Sequence, residues 1–138
     1  MKPSRKVSLL DANVILRFVL GDDANQSPQA HAFMKRLEAA QELTELEDLV
    51  LMETIWVLEK RARVPRFEIA RALSDLLVFR GIRYRGKRVG LQALTFFGST
   101  NCDIADCLLA ARAKSRGAKV ISFDNDFNQL HCAWEEPV

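Results

Sequence analysis

The sequence predicts an α/β protein in which helices cover both faces of a short, mainly parallel central sheet. Short apolar runs typical of buried strands alternate along the chain with longer segments of helical periodicity. Strands that alternate with helices form parallel sheets covered on both faces, a three-layer α/β/α sandwich. The chain has 138 residues, no repeat and no linker-like stretch, so residues 1–138 are expected to form one domain.

Four strands are predicted from short apolar or alternating segments. Asp11 directly follows the first strand and Asp124 the last one. The predicted strands are residues 6–10, 43–46, 82–85 and 118–123. The carboxyl ends of parallel strands lie at one edge of a sheet, where ligands bind in this class of protein. Asp11 and Asp124 are therefore expected at the same edge.

The helices are predicted from apolar stripes and from residues that favour helix ends. Gly21 and Gly117 each follow a helix, Pro28 is placed at the first helical position of the second one, and Thr100 to Asp103 fits a capping box. The predicted helices are residues 12–20, a segment that begins at 27–28, residues 47–61, 66–79 and 88–97, a segment from the capping box to residue 116, and residues 126–130.

Composition excludes several classes of protein. The formal net charge of +2 identifies no partner by itself, and the odd number of cysteines, three, argues for a reducing cytoplasm rather than a disulfide scaffold. Cys102 and Cys107 have no second pair and no nearby histidine, so ordinary buried thiols are expected rather than a zinc site. The longest apolar run contains Glu53 and is too short to cross a bilayer, so no membrane span is expected.

Four acidic residues interrupt or end apolar segments. Asp11 and Asp124 follow strands, whereas Glu53 and Asp106 fall inside predicted helices. A buried carboxylate costs free energy unless it is paired, neutralised or bound to a metal. We therefore expect the four acids to share one site, with a divalent cation as the simplest compensation for their charge. Mg²⁺ and Mn²⁺ both prefer oxygen ligands of this kind.

The segments around these acids resemble the PIN-domain family, and most closely its VapC-type toxin branch. The resemblance is carried by LLDANVIL, VLMETIWVL, DIADCLLAA and SFDNDF, which begin at residues 9, 50, 103 and 122. It implies a PIN-like fold and a metal-dependent ribonuclease, usually with Mg²⁺ or Mn²⁺. It also implies a homodimer and an antitoxin whose peptide lies near the acids. Ser122 stands where the family more usually has threonine, and it keeps the hydroxyl group.

The expected chemistry is hydrolysis of an RNA phosphodiester without a histidine base. A carboxylate-bound ion lowers the pKa of a water molecule and neutralises charge on the phosphate. His31 and His131 both fall outside the predicted site. The predicted metal ligands are Asp11, Glu53, Asp106 and Asp124, with Asp103 and Asp126 as structural or water-mediated neighbours and Asn13 and Ser122 as orienting residues.

Each acid also has a purely structural interpretation. Asp11 could cap the helix that begins at residue 12, and Glu53 could pair with a buried arginine. Asp103 lies in the first turn of its helix, where the helix dipole favours an anion. Asp126 has the position of a cap for the last short helix, which leaves Asp124 as the better candidate for a ligand.

A basic run surrounds Tyr84, and it predicts contacts with RNA phosphates that are salt-dependent and independent of sequence. The run consists of Arg80, Arg83, Arg85, Lys87 and Arg88, of which the last four are the predicted RNA-binding residues. Residues 61–71 and 112–116 form two further basic zones. For any single arginine, a solvated surface position is the alternative.

Three other classes of function are alternatives. A phosphatase of the haloacid dehalogenase type also has an acid after its first strand, but it needs a second acid where this chain has Asn13. A receiver-like signalling domain needs a phosphoacceptor after a middle strand, and no residue fits that role. The third class is a catalytically silent RNA- or protein-binding adaptor on the same fold, which we would expect to have lost one of the four acids.

Overall fold

The computed structural model describes residues 7–138, and its helices and short parallel strands confirm the α/β/α class. The α-helices in this part of the chain are α1 (Ala12–Leu20), α2 (Gln26–Glu38), α3 (Asp48–Trp56), α4 (Arg66–Leu77), α5 (Lys87–Ser99) and α6 (Ile104–Arg116). The strands are β1 (Thr44–Leu46), β2 (Ile82–Tyr84), β3 (Val120–Ile121) and β4 (Trp134–Glu135).

All described strand pairs are parallel. β1 pairs with β2 in the register Thr44 to Ile82, and β3 pairs with β4 in the register Val120 to Trp134. The chain just before Asp11 joins the other edge of β1, because the backbone N–H of Leu10 donates to the carbonyl of Glu45 at 2.9 Å. Within the described residues, the predicted first strand is reduced to a single parallel bridge between Leu9 and Glu45. Residue 6 of that prediction lies outside the described residues.

The helices pack in two groups that α3 and α6 join. α1 packs against α2 and α3, while α5 packs against both α4 and α6. α3 also contacts α6, so the helices that carry Glu53 and Asp106 lie side by side. The core between these layers contains large side chains that are almost fully buried, such as Ile15, Met34, Leu51, Phe97 and Phe127.

Two glycines end helices as their positions predict. Gly21 and Gly117 have φ angles of 61° and 62°, a left-handed conformation that other residues adopt only at a cost. The backbone N–H of each glycine donates to a backbone carbonyl in the last turn of its helix, that of Arg17 for Gly21 and that of Lys114 for Gly117. α1 and α6 therefore end where the sequence indicates, and this fixes the length of the two helices nearest the acids.

Several predicted boundaries were wrong. α2 begins at Gln26 rather than Pro28, because Asp23 accepts hydrogen bonds from the backbone N–H groups of Asn25 and Gln26. The capping box is absent, since Thr100 bonds the carbonyl of Phe96 at the end of α5, and Asp103 is the residue before α6. The closing helix is a 3₁₀ turn over Asn125–Asn128 rather than residues 126–130.

The predicted helix over residues 47–61 changes character near its end. α3 stops at Trp56, and the chain continues without a break as a π-helical turn, Val57–Arg61. Here the N–H of Ala62 bonds the carbonyl of Val57 at 3.0 Å, five residues back. Such wide turns are rare and often lie at functional sites. This turn carries Glu59, which contacts the first residue of α4.

The last strand of the described chain was missed. The predicted strand over residues 118–123 is only Val120–Ile121, and its partner is the two-residue strand β4.

Among residues 7–138, no helix is long and apolar enough to span a bilayer.

Candidate metal centre

Four aspartates gather where α6 begins and where the chain leaves β3. Asp103 is the residue before α6, and Asp106 lies one turn further on. Asp124 and Asp126 belong to the loop and 3₁₀ turn that follow β3. Partial burial raises the pKa of Asp106 above its usual range, and the nearby charges of Asp124, Asp103 and Asp126 raise it further. These four residues, which we call the acidic cluster, therefore share one patch of the molecule.

Local hydrogen bonds fix the loop that carries Asp124. The hydroxyl oxygen of Ser122 accepts the backbone N–H of Asp124 at 2.9 Å. The carboxylate of Asp124 in turn accepts the backbone N–H of Asp126 at 2.8 Å, which makes Asp124 the cap of the 3₁₀ turn. The assignment of that cap to Asp126 was therefore wrong. One Asp124 oxygen is engaged in this way, and the other has no hydrogen bond within residues 7–138.

Asp11 and Glu53 reach the surface on two other elements. Asp11 occupies the N-cap position of α1, as the capping interpretation expects, but its side chain makes no capping hydrogen bond. Glu53 is exposed on α3 and makes no ion pair within residues 7–138, so the buried-arginine interpretation is wrong. Neither acid is among the charges that raise the pKa of Asp106. α1 packs on α3 and α3 on α6, which is how the structure relates both acids to the cluster.

The burial on which the sequence argument depended is present only in part. Asp106 is half-buried, whereas Asp11, Glu53 and Asp124 are exposed. Among residues 7–138, no three carboxylate, imidazole or thiol groups stand in position to share one ion. The acids are chemically suited to Mg²⁺ or Mn²⁺, since all offer oxygen. Ligation of one ion would require the four side chains to turn toward a common point.

Comparison with known protein families shows to which family this chain belongs. The PIN domain matches residues 8–131 of this chain, a stretch that contains all four predicted ligands. This chain belongs to the PIN-domain family. PIN domains are generally nucleases that use divalent metal ions, and their substrates are nucleic acids. Comparison with curated protein sequences gave no match.

The PIN domain also contains an ionic contact that the sequence did not indicate. Both carboxylate oxygens of Asp48 accept hydrogen bonds from one terminal nitrogen of Arg112, at 2.8 and 2.6 Å. The hydroxyl of Tyr84 donates to the same carboxylate, and burial together with that negative charge raises the pKa of Tyr84. This contact ties α3, β2 and α6 together. No motif could have found it, because the three residues are far apart in sequence.

A groove of about 970 Å³ opens beside this contact. Its lining has six cationic side chains against three acidic ones. The cationic residues are Arg80, Arg83, Arg85, Lys87, Arg112 and Arg116. Arg83 is exposed between the buried Ile82 and Tyr84, as the alternation of that strand predicts. Arg112 lies six residues beyond Asp106 on α6, so this basic groove and the acidic cluster share a helix.

The remaining predicted residues lie elsewhere. Arg88 lines a separate hollow with Phe96 and Ser115, outside the basic groove. Asn13 has no hydrogen bond to Asp11 within the described chain and faces a hollow between α1 and α2. His31 packs against Phe18, away from the cluster. The buried thiol of Cys107 donates weakly to a backbone carbonyl, as expected for an ordinary core cysteine.

Proposed function

We propose that this PIN domain is a divalent-metal-dependent endoribonuclease and the toxin of a type II toxin–antitoxin pair. The observation that carries the proposal is the gathering of Asp103, Asp106, Asp124 and Asp126 at one end of α6. Like charges repel, so a fold gathers carboxylates at a cost. Within a family of nucleases that typically use divalent ions, the compensation is a cation bound between them.

In this proposal the ion is held by Asp11, Glu53, Asp106 and Asp124, with Asp103 and Asp126 reaching it through water. Mg²⁺ or Mn²⁺ would supply an activated water and neutralise charge that grows on the phosphate. The rest is the work of the protein's own side chains. Ser122 holds the Asp124 loop through the Asp124 backbone N–H, and the half-buried Asp106 provides the fixed point of the centre.

The RNA backbone is proposed to lie along the basic groove. Arg83 and Arg85 are exposed there and form no ion pair within residues 7–138, so their guanidinium groups can bind phosphates. Lys87 lines the same groove, although its ammonium group donates to the carbonyl of Phe79 at 3.1 Å. Arg88 would contact the strand just outside the groove. Such contacts give affinity without base recognition, so the sequence preference must come from other contacts.

The test is cleavage of single-stranded RNA, with Asp106→Asn as the critical variant. Wild type is expected to cut a closed circular RNA in the presence of Mn²⁺ and to stop on addition of a chelator. Asp106→Asn keeps the shape of the side chain but removes the charge that holds the ion. We expect it to lose about a hundredfold or more in rate, since metal stabilisation of the transition state amounts to several kcal/mol.

Asp75→Asn is the matched control, because Asp75 is an exposed aspartate on α4 outside the cluster, and it should retain full activity. Full activity of Asp106→Asn would contradict the metal-site assignment. Clean wild-type protein that binds RNA but cuts none would favour the silent adaptor, and release of phosphate from monoesters without chain cleavage would favour a phosphatase. A circular RNA left intact while linear RNA is degraded would contradict the endonuclease assignment.

The proposed protein partners are an antitoxin and a second copy of this chain. Leu49, Glu53 and Trp56 share one face of α3, since they are four and three residues apart. Leu49 is 76% exposed and Trp56 51%, so apolar surface flanks the proposed ligand Glu53 on both sides. An antitoxin peptide on this face would block the acids. Expression of the wild type alone is expected to arrest bacterial growth, and equal expression of Asp106→Asn is not.

A further inference from the structure

Arg66 is more tightly held than any role on a basic surface requires. Its Nε donates to the carbonyl of Phe97 at 3.0 Å, and its Nη1 to the carboxylate of Glu59 at 2.9 Å. Its Nη2 donates to the carbonyl of Cys102. The guanidinium carbon also lies 3.7 Å from the centre of the Phe97 ring. The first residue of α4 thus joins the π-helical turn, the end of α5 and the loop before α6.

The contact of Arg66 with the carbonyl of Cys102 lies next to the acidic cluster. Cys102 directly precedes Asp103, the residue before α6, and the backbone N–H of Cys107 bonds the carbonyl of Asp103 at 3.0 Å. The thiol of Cys102 lies 3.8 Å from the carbonyl of Asp126. Cys102 is buried, and its carbonyl also accepts the weak hydrogen bond of the Cys107 thiol. The carbonyl that Arg66 holds therefore belongs to the residue that precedes Asp103 and whose thiol contacts the backbone of Asp126.

From this geometry we propose that Arg66 is a positioning residue of the metal centre. Arg66 holds the carbonyl of Cys102 and thereby sets the spacing between the start of α6 and the loop that follows β3. It touches neither substrate nor ion, and the proposal concerns the spacing of ligands in the nuclease proposed above, on which it rests. Glu59 and Phe97 support this role, because their contacts hold the guanidinium group of Arg66 in place.

Only arginine can fill this role. Its planar group has five donors in a rigid fork, and three different acceptors surround it here. The side chains of Arg66 and Glu59 are 22% and 18% exposed, so water competes weakly for these bonds. The helices around the group are also closely packed. A Cβ added at Gly98 would lie 2.8 Å from the Cβ of Ala70, which shows how closely α5 passes over α4.

The test compares Arg66→Lys and Glu59→Gln with Arg71→Lys, a matched control at an exposed arginine of the same helix. Two quantities are measured on each full-length protein. One is the dissociation constant for Mn²⁺, obtained from the electron paramagnetic resonance signal of free Mn²⁺. The other is the rate of amide hydrogen exchange in residues 101–107, with circular dichroism as the check on folding.

We expect Arg66→Lys to weaken Mn²⁺ binding by about tenfold or more, as is typical when a group that orients ligands is lost. Exchange in residues 101–107 should become faster, and excess Mn²⁺ should restore most of kcat on RNA. Glu59→Gln, which keeps an acceptor oxygen, should show a smaller change in the same direction. Arg71→Lys should match wild type in every measurement.

Folded Arg66→Lys and Glu59→Gln proteins with wild-type Mn²⁺ affinity and wild-type exchange would overturn the proposal. If Arg66→Lys does not fold, Glu59→Gln decides the matter by the same two measurements. Wild type that binds no Mn²⁺ would remove the nuclease proposal instead. In that case unchanged exchange in residues 101–107 would overturn the role of Arg66 separately.

Discussion

Asp106 is the carboxylate of the acidic cluster whose surroundings are least favourable to its charge. Its partial burial and three neighbouring aspartates all disfavour the ionised form. A structural aspartate would have a cationic or N–H partner, and Asp106 has none within residues 7–138. Asp48 shows the contrast, since both of its oxygens bind Arg112 and one also binds Tyr84. Asp48 therefore stabilises the fold, whereas the charge of Asp106 lacks a partner within residues 7–138 and is the one that the proposed cation would compensate.

Asp23 provides a pH-dependent test of local folding at the start of α2. Backbone N–H groups of Gln26 and Asn25, together with the charge of Arg17, lower the pKa of Asp23 below its usual value of 3.8. A group with a lowered pKa in the folded state stabilises the protein above its unfolded pKa, and this contribution is lost as pH falls through the folded pKa. Asp23→Ala should therefore lower Tm at neutral pH, and the difference from wild type should shrink as pH falls below about 4.

Asp22→Ala is the control for that experiment. Asp22 faces the same Arg17 at 3.6 Å but accepts no backbone N–H within the described chain. It should change Tm little, because an exposed ion pair contributes little to stability. Equal effects of the two variants, or a difference for Asp23→Ala that does not change with pH, would contradict the capping role.

The residues of the site were predictable where one local pattern decided them. Asp106 could be placed on a helix because Gly117 marks the end of that helix, and the structure confirms it. The capping role of Asp124 could not be predicted, because it depends on whether the turn begins one residue earlier or later. The contacts of Arg66 were likewise hidden, since its three acceptors belong to segments 7, 31 and 36 residues away.

Helices and strands, too, were predictable where a local sequence pattern decided them. α1 matches its prediction at both ends because an apolar run and a terminal glycine agree. β4 was missed because two residues, Trp134–Glu135, are too few for a periodic signal, and only pairing with β3 makes them a strand. The π-helical turn could not be predicted for a related reason. Its residues have ordinary helical propensity, and a contact with another helix, Glu59 to Arg66, accompanies the wider turn.

The basic groove, which β2 and α6 share, gives a prediction about salt. If Arg83 and Arg85 each contact a phosphate, replacing either with alanine should reduce the slope of log affinity against log salt by about 0.7 for single-stranded RNA. Binding is measured with Asp106→Asn protein, so that the RNA stays intact. Arg36→Ala is the control, because Arg36 is an exposed arginine on α2 that lines a different hollow. Unchanged slopes for both groove variants would show that the RNA takes another path.

At the scale of the whole molecule, the architecture followed from the order of strands and helices, and the family match confirms it. The order of strands and helices did not predict which apolar side chains are exposed. Exposed apolar side chains on α3, on α4 and at the residue after α4 include Leu49, Trp56, Phe67 and Val78. Periodicity assigns apolar helical residues to the core, and these lie outside it because neighbouring positions already fill the core.

This apolar surface predicts self-association. We expect sedimentation of the wild type to give the mass of a dimer, the commonest form of symmetric oligomer. Phe67→Lys should shift the equilibrium toward the 15.6 kDa monomer, because it places a charge on the apolar surface of α4 and leaves the α3 face beside Glu53 unchanged. Arg71→Ala, a change at an exposed residue one turn away on the same helix, should leave the mass unchanged. Wild type that remains monomeric at high concentration would contradict the prediction.

Mn²⁺ located by anomalous scattering in a crystal of the wild type tests the central claim most directly. We predict one peak at the start of α6 with oxygen atoms of Asp106 and Asp124 at bonding distance, and with Asp11 and Glu53 turned toward the same ion. Mn²⁺ bound away from Asp106, or Asp11 and Glu53 separated from it by more than a water molecule can bridge, would contradict the account.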